Sequence, residues 1–182
     1  MSMTKAIASK ADELRQEFDR SFALPPARAA QEFEDLLAIR VAGDPYAIRL
    51  RQIGAIISGR KLVAVPAATR DFLGISGTRD GIVAVFGLAS ILGHVQGAEA
   101  PRWMILCGAD EPIALGFSDF EGYLRLPTSA LHSDEELRGT HNYVDAVASS
   151  DTGLRAVLGI PLVLAMIRNR TDPNRFAKGN DR

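Results

Sequence analysis

Cysteine is nearly absent from this chain of 182 residues, which has one, Cys107. An intramolecular disulfide is therefore excluded, and a reducing compartment is the expected setting. Histidine is scarce too. His94, His132 and His141 stand far apart, with no second cysteine and no Glu-x-x-His element beside them. Zinc ligands come at closer spacing, so the three read as structural or surface histidines. Charge of one sign is also missing, the formal net charge being −1. A chain without such a field is not drawn to nucleic acid or to an anionic membrane. Long apolar runs are lacking: stretches such as Ile82 to Phe86 fall far short of the ~20 residues that span a bilayer. The first residues carry Lys5, Lys10, Asp12 and Glu13 and lack the apolar core of a signal peptide. A cytoplasmic protein is the expectation.

The machinery of catalysis is missing as well. Gly74-Ile75-Ser76-Gly77-Thr78 approaches a nucleophile elbow, but Thr78 stands where that motif needs its last glycine. Gly74, Gly77 and Gly81 lack the Lys-Ser/Thr ending of a phosphate loop, and they lead into a strand rather than an anion-holding helix N-terminus. The carboxylates of Asp134, Glu135 and Glu136 lie in a polar stretch and read as a solvated helix start. No catalytic residue, metal site or cofactor is assigned, and an enzyme is not expected. A small barrel that binds nucleic acid is the alternative, but it needs stacking platforms beside a basic groove. Residues 34–93, which hold the basic residues from Arg49 to Arg79, offer only Tyr46, Phe72 and Phe86.

What is present is a folded domain's composition, 47% hydrophobic and 24% charged, enough for one sizeable core or two small barrels. Residues 1 to about 24 have a helical period, with Ala11, Leu14, Phe18 and Phe22 on one side. Pro25-Pro26 stops that helix, and a second short helix is expected from Ala27 to about Leu36. This extension, 1–33, either packs on the body or docks a partner. From Leu37 the period becomes two: Leu37, Ile39 and Val41 share one face, Ala38 and Arg40 the other, and Gly43-Asp44-Pro45 supplies turn chemistry. Ile48 and Leu50 then alternate with Arg49 and Arg51, which reads as a hairpin with one wet face. Strand-length apolar segments follow at Ile53–Ile57, Leu62–Val65, Ile82–Phe86, Met104–Cys107, Ile113–Phe117, Tyr123–Leu126, Tyr143–Ala148 and Leu154–Leu158. That rhythm predicts barrels or a sandwich. Leu88 to Leu92 reads as one helical turn, and Pro161 opens a helix through Arg168. The tail from Thr171 to Arg182 is polar.

The stretch from Asp71 to Leu88 carries most information. Its glycines permit positive φ, so a tight turn is expected to present Arg79 at the mouth of a buried sheet. Arg79 serves there either as an anchor for a partner or in a salt bridge with Asp80 or Asp71.

Over most of residues 34 to 169 the chain resembles the CheW-like coupling proteins of bacterial chemosensory arrays. Leu36 to Ile48 resembles the family's opening hairpin, and Gln52 to Ile57 the strand after it. Phe72-Leu73-Gly74-Ile75-Ser76-Gly77-Thr78-Arg79 sits where the family has a Gly-hydrophobic-x-x-hydrophobic-Arg-Gly signature. Ile113 to Asp119 with Tyr123 to Pro127 resembles its second barrel. The resemblance implies a mainly β fold of two intertwined five-stranded Src-homology-3-like barrels with an apolar seam between them. The CheW-like domain would cover 34–170, as subdomains of roughly 34–93 and 101–160, with a tail from 171 to 182. It further implies a non-catalytic adaptor coupling the cytoplasmic tip of methyl-accepting receptors to the regulatory domain of a CheA-type histidine kinase, with another CheW-like protein as a further partner. Ile53, Arg79, Val83 and Val85 would lie at the receptor-facing seam. Four departures stand out: Asp80 for the glycine after the signature arginine, Ala84 for a usual proline, Gly87 for an aspartate, and Ala55 for an acidic residue. They suggest an accessory, Frz-type member with weakened kinase binding.

Overall fold

In a computed structural model, residues 31–66, 69–95, 97, 99–108, 112–133 and 143–171 are described. The chain divides into two units, Met1–Glu32 and Phe33–Arg182. The expected helices before residue 31, the acidic stretch 134–136, His141 and the tail 172–182 lie outside the described residues.

Twelve strands run from Phe33 to Leu158: β1 (Phe33–Val41), β2 (Asp44–Arg49), β3 (Ala55–Ser58), β4 (Leu62–Val63), β5 (Phe72–Gly77), β6 (Ile82–Gly87), β7 (Trp103–Cys107), β8 (Ile113–Phe117), β9 (Asp119–Pro127), β10 (Leu131–His132), β11 (Val144–Ser150) and β12 (Gly153–Leu158). A single helical turn, α1 (Leu88–Ile91), follows β6, and α2 (Ile160–Thr171) follows β12. Among the described residues no helix is long and apolar enough to cross a membrane. The expected second helix is overturned at its C-terminal end, because Phe33–Leu36 already belong to β1. The turn expected at 43–45 falls at Ala42-Gly43 instead, where φ values of 52° and 93° match a tight hairpin turn of the type whose twist suits the flanking strands.

The strands form two curled sheets, in the orders β10-β11-β12-β2-β1-β9 and β3-β7-β8-β6-β5-β4. Each is two antiparallel three-stranded halves joined by one parallel pair, β12 with β2 in the first and β6 with β8 in the second. The fold is mainly β, as expected, and the two sheets share one plan. They do not follow the linear halves 34–93 and 101–160. Residues 55–117 make the whole second sheet, inserted between β2 and β9 of the first.

Strand parity places the cores. Leu37, Ile39 and Val41 of β1 join Tyr46 and Ile48 of β2 and Leu158 of β12 in the large core between the sheets. From the second sheet come Phe86, Ile105, Leu115 and Phe117, and from α2 Ile160, Val163 and Ile167. The opposite faces are not wet. Leu36, Ala47, Ala146, Ala148 and Val157 fill a small core inside the first sheet, and Val83, Val85, Met104 and Ala114 fill one inside the second. The expectation of a wet face on the opening hairpin fails for this reason: in a curled sheet both faces of the central strands are covered, so β1 reads as a nearly continuous apolar run.

Both open ends of the first sheet's interior carry ion pairs. At one, Arg49 pairs with Asp145 and, at 3.4 Å, with Glu34, which also holds Arg51 at 3.0 Å. At the other, Glu121 lies 2.6 Å from Arg40 Nε and 2.5 Å from Arg155 Nη1. A bulge in β9, where Ala38 faces Gly122 but Ile39 faces Phe120, inserts Glu121 as the extra residue. Burial works to raise the Glu121 carboxyl, but hydrogen bonds from Arg40 and Arg155 and their charges outweigh it, so its pKa is lowered from 4.5.

Two further contacts hold the sheets together. Tyr46 Oη and His94 Nε2 are 2.9 Å apart, and Tyr143 Oη donates to the Leu92 carbonyl at 3.0 Å. Asp71 accepts from Ser90 Oγ and from Arg170 Nη1, both at 2.5 Å, which fixes the end of α2 against the start of β5.

Two stability predictions follow from these contacts. Gly74 has φ 136°, and a Cβ there would lie 2.2 Å from the Val63 carbonyl oxygen. Gly74→Ala is expected to cost roughly 2 kcal/mol or more in urea denaturation. Glu121 stabilises the fold as the carboxylate, so its contribution is complete above 4.5 and is lost as pH falls through the lowered folded value. Glu121→Gln is expected to be less stable than the parent at neutral pH, with the gap closing below pH 4.5 when melting temperature is followed against pH.

Candidate protein-docking seam

The signature stretch is a strand first and a turn only at its end. Phe72–Gly77 form β5, paired with β4 on one side and β6 on the other. The turn proper is Thr78–Gly81, closed by Thr78 N–H and Thr78 Oγ1 both donating to the Gly81 carbonyl, at 2.7 and 3.0 Å. Gly74 and Gly81 have positive φ, 136° and 143°, whereas Gly77 does not. Gly74 is required by the close approach of β4, and Gly81 by the turn.

Arg79 sits at the tip of this turn and is exposed. It makes no ion pair or hydrogen bond with any described residue. Asp71, one of the two acids weighed for it, is engaged by Ser90 and Arg170. The salt-bridge alternative therefore falls away.

Below the turn lies a cross-strand row of apolar side chains. Register pairs Cys107 with Ile113, Ile113 with Ala84, Ala84 with Ile75, and Ile75 with Val63. Directly paired residues put their side chains on one face of the sheet, here the face toward the inter-sheet core. The neighbouring row, Ile56, Ile105, Leu115, Phe86 and Phe72, is roofed by the first sheet. The outer row emerges from that roof. Cys107 is 2% exposed and its thiol is pushed up to about 12 by burial. Ile113, Ala84 and Ile75 are half-buried, and Val63 is 48% exposed. Ile82, on the same face and next to the turn, is 74% exposed.

Ile53 is half-buried against the inter-sheet core, just before β3. Val83 and Val85 are elsewhere. They are 4% and 0% exposed, in the second sheet's interior, and a side chain so enclosed has no surface to give a partner. On this strand it is Ile82 and Ala84, one position away, that share the face of the row, because a shift of one position in a strand changes the face. Ile75 and Val63 were missed as well. The alternation of Ile82, Ala84 and Phe86 was visible in the sequence, but both of its faces are apolar, so parity alone could not choose between them.

A family profile described as the CheW-like domain matches residues 35–168. The chain belongs to the CheW-like domain family. The two curled sheets are the two Src-homology-3-like barrels of that fold. Among solved structures, the scaffolding protein TtCheW from Thermoanaerobacter tengcongensis superposes with a TM-score of 0.62 at 12% identity, over 70% of this chain and 90% of that one. No curated protein sequence matches the chain. CheW-like proteins are non-catalytic scaffolds of chemotaxis signalling.

The exposed end of the row is not needed for the core. Ile82→Glu is therefore expected to change the unfolding free energy measured in urea by no more than ~0.5 kcal/mol. Val85→Ala, by contrast, is expected to cost about 1–3 kcal/mol by opening a cavity in the second barrel. Equal effects of the two would show that the seam and core faces of β6 are wrongly assigned.

Proposed function

We propose that this CheW-like protein is a cytoplasmic adaptor that grips the tip of a methyl-accepting chemoreceptor through the row of Val63, Ile75, Ala84 and Ile113, with Ile82 and Arg79 as its anchors and Ile53 at the inner end. The observation that carries this reading is an exposed arginine without a partner among the described residues, held by a glycine turn beside an apolar row that emerges from its cover. An isolated surface cation gains little from such placement, whereas an arginine beside a desolvated apolar strip is a typical hot spot. The helical, amphipathic tip of a receptor supplies apolar side chains at helical spacing for the row and a carboxylate for Arg79.

Kinase coupling is the weaker arm of the adaptor. Two of the four departures fall on or beside this surface: Ala84 lies on the row itself and Asp80 stands beside Arg79 in the turn, whereas Ala55 is exposed on β3 at the opposite edge of the sheet. Gly87 is buried and donates its N–H to the Asp71 carbonyl at 2.7 Å. A carboxylate missing at Ala55 and one added at Asp80 change the charge a kinase domain or a second CheW-like protein would meet. This is the accessory role: receptor recognition kept, binding to the kinase regulatory domain reduced.

Titration calorimetry against a receptor-tip fragment and, separately, the kinase regulatory domain tests both arms. Arg79→Glu and Ile82→Glu are each expected to weaken receptor binding about 30-fold or more, a loss of ~2 kcal/mol, with the melting temperature unchanged. Unaltered affinity in both variants would refute the seam assignment. Kinase binding as tight as an ordinary coupling protein's would refute the accessory role.

A further inference from the structure

The two charged ends of the first barrel are not alike. The end at Arg49 and Arg51 answers two guanidinium groups with two carboxylates, Glu34 and Asp145. Among the described residues, the end at Arg40 and Arg155 has Glu121 alone within ion-pair distance of two guanidinium groups, leaving one positive charge over. The side chain of Arg155 is only 7% exposed, and neither its Nε nor its Nη1 has a hydrogen-bond acceptor in good geometry among the described residues. Arg49 Nε lacks one at the other end as well, so the ends differ in their count of carboxylates and in Arg155 leaving two such nitrogens against one. Arg40 gives Nε to Glu121 and Nη1 to the Gly43 carbonyl at 2.8 Å, with its side chain 43% exposed. A cavity of about 350 Å³ opens at this end, lined by both arginines, Glu121, Tyr123 and Thr152. Gly122 also lines it, and a Cβ on that residue would meet nothing within 4 Å.

We propose that this mouth is a binding site for a carboxylate from outside the chain, held between Arg155 and Arg40 beside Glu121. A guanidinium is a planar fork matched to carboxylate oxygens. Glu121 already displays that match, giving one oxygen to each arginine. The buried donors left over on Arg155 and the uncompensated charge call for a second acceptor, and the cavity supplies the room. The bulge that carries Glu121 sets this arrangement on rigid strands, a placement common next to binding sites. Nothing in the seam reading uses these residues. The incoming group is either a small free dicarboxylate or an acidic side chain of a partner protein; the recognition chemistry is the same.

The test is titration calorimetry of the full chain with malonate and with a hexaglutamate peptide, at constant ionic strength in chloride. Saturable binding is expected, weakened at least tenfold in Arg40→Gln and unaffected in Ile82→Glu, which alters the seam alone. Arg155→Met is the companion variant; if it fails to fold, Arg40→Gln carries the test. Malonate binding as tightly as the peptide assigns the site to a free anion, and tighter peptide binding assigns it to an acidic segment of a partner. Absence of saturable binding by both probes, or equal affinity in Arg40→Gln, overturns the proposal.

Discussion

The inter-sheet core is the constraint on which the rest of this protein depends. Two strongly curled sheets each have an interior, and they also share one face with each other. Central strands must therefore be apolar on both sides. In β1, Leu36 points into the first barrel and Leu37 into the shared core; in β6, Val85 and Phe86 divide in the same way. At their centres the small interiors take mostly alanine and valine, with Leu36 in one and Met104 in the other, while the shared core takes more of the large side chains. Burial at the shared core is what fixes one barrel against the other, since the covalent links are only the short passages from β2 to β3 and from β8 to β9. The helix α2 closes it, with Ile160, Val163 and Ile167 inserted and Arg170 tied to Asp71.

The surface proposed to grip a receptor arises from the same face without any added device. The apolar row of the second sheet simply runs on past the edge of its cover, from Cys107 to Val63. Its inner end is rigid because it belongs to the core, and its outer end is free. Such a strip is pre-ordered, so a partner that covers it orders little of this chain on binding. The turn above it is equally fixed, by two donations to the Gly81 carbonyl, and its arginine is left over for a partner. A scaffold needs geometry of this kind rather than a poised acid or nucleophile, and the CheW-like family, of which this chain is a member, works as such a scaffold.

Charge is used sparingly and at the ends. Arg49 and Arg155 are both buried residues, and each is paired where a barrel would otherwise open to solvent. Replacing one partner of such a pair leaves a buried charge stranded, which is why breaking either end destabilises the barrel. The unequal count of carboxylates at the two ends is the feature that sets one of them apart.

Much of this was already determined by the sequence. Short apolar segments at strand spacing, turn residues between them and the lack of βα alternation imply a mainly β fold, and the order of the signature elements implies the family. Arg79 as the key exposed cation was legible because a glycine turn leaves it nowhere to be buried. Tertiary structure decided what local pattern could not. Alternation distinguishes the two faces of a strand but not which apolar face is covered, so Val83 and Val85 were expected where Ile82 and Ala84 stand. β5 was hidden by its glycines, which signal a turn locally but here admit a neighbouring backbone. The pairing of β12 with β2, and that of β1 with β9, which closes the first barrel around the inserted second, join residues 79 to 110 positions apart, and no local preference encodes those.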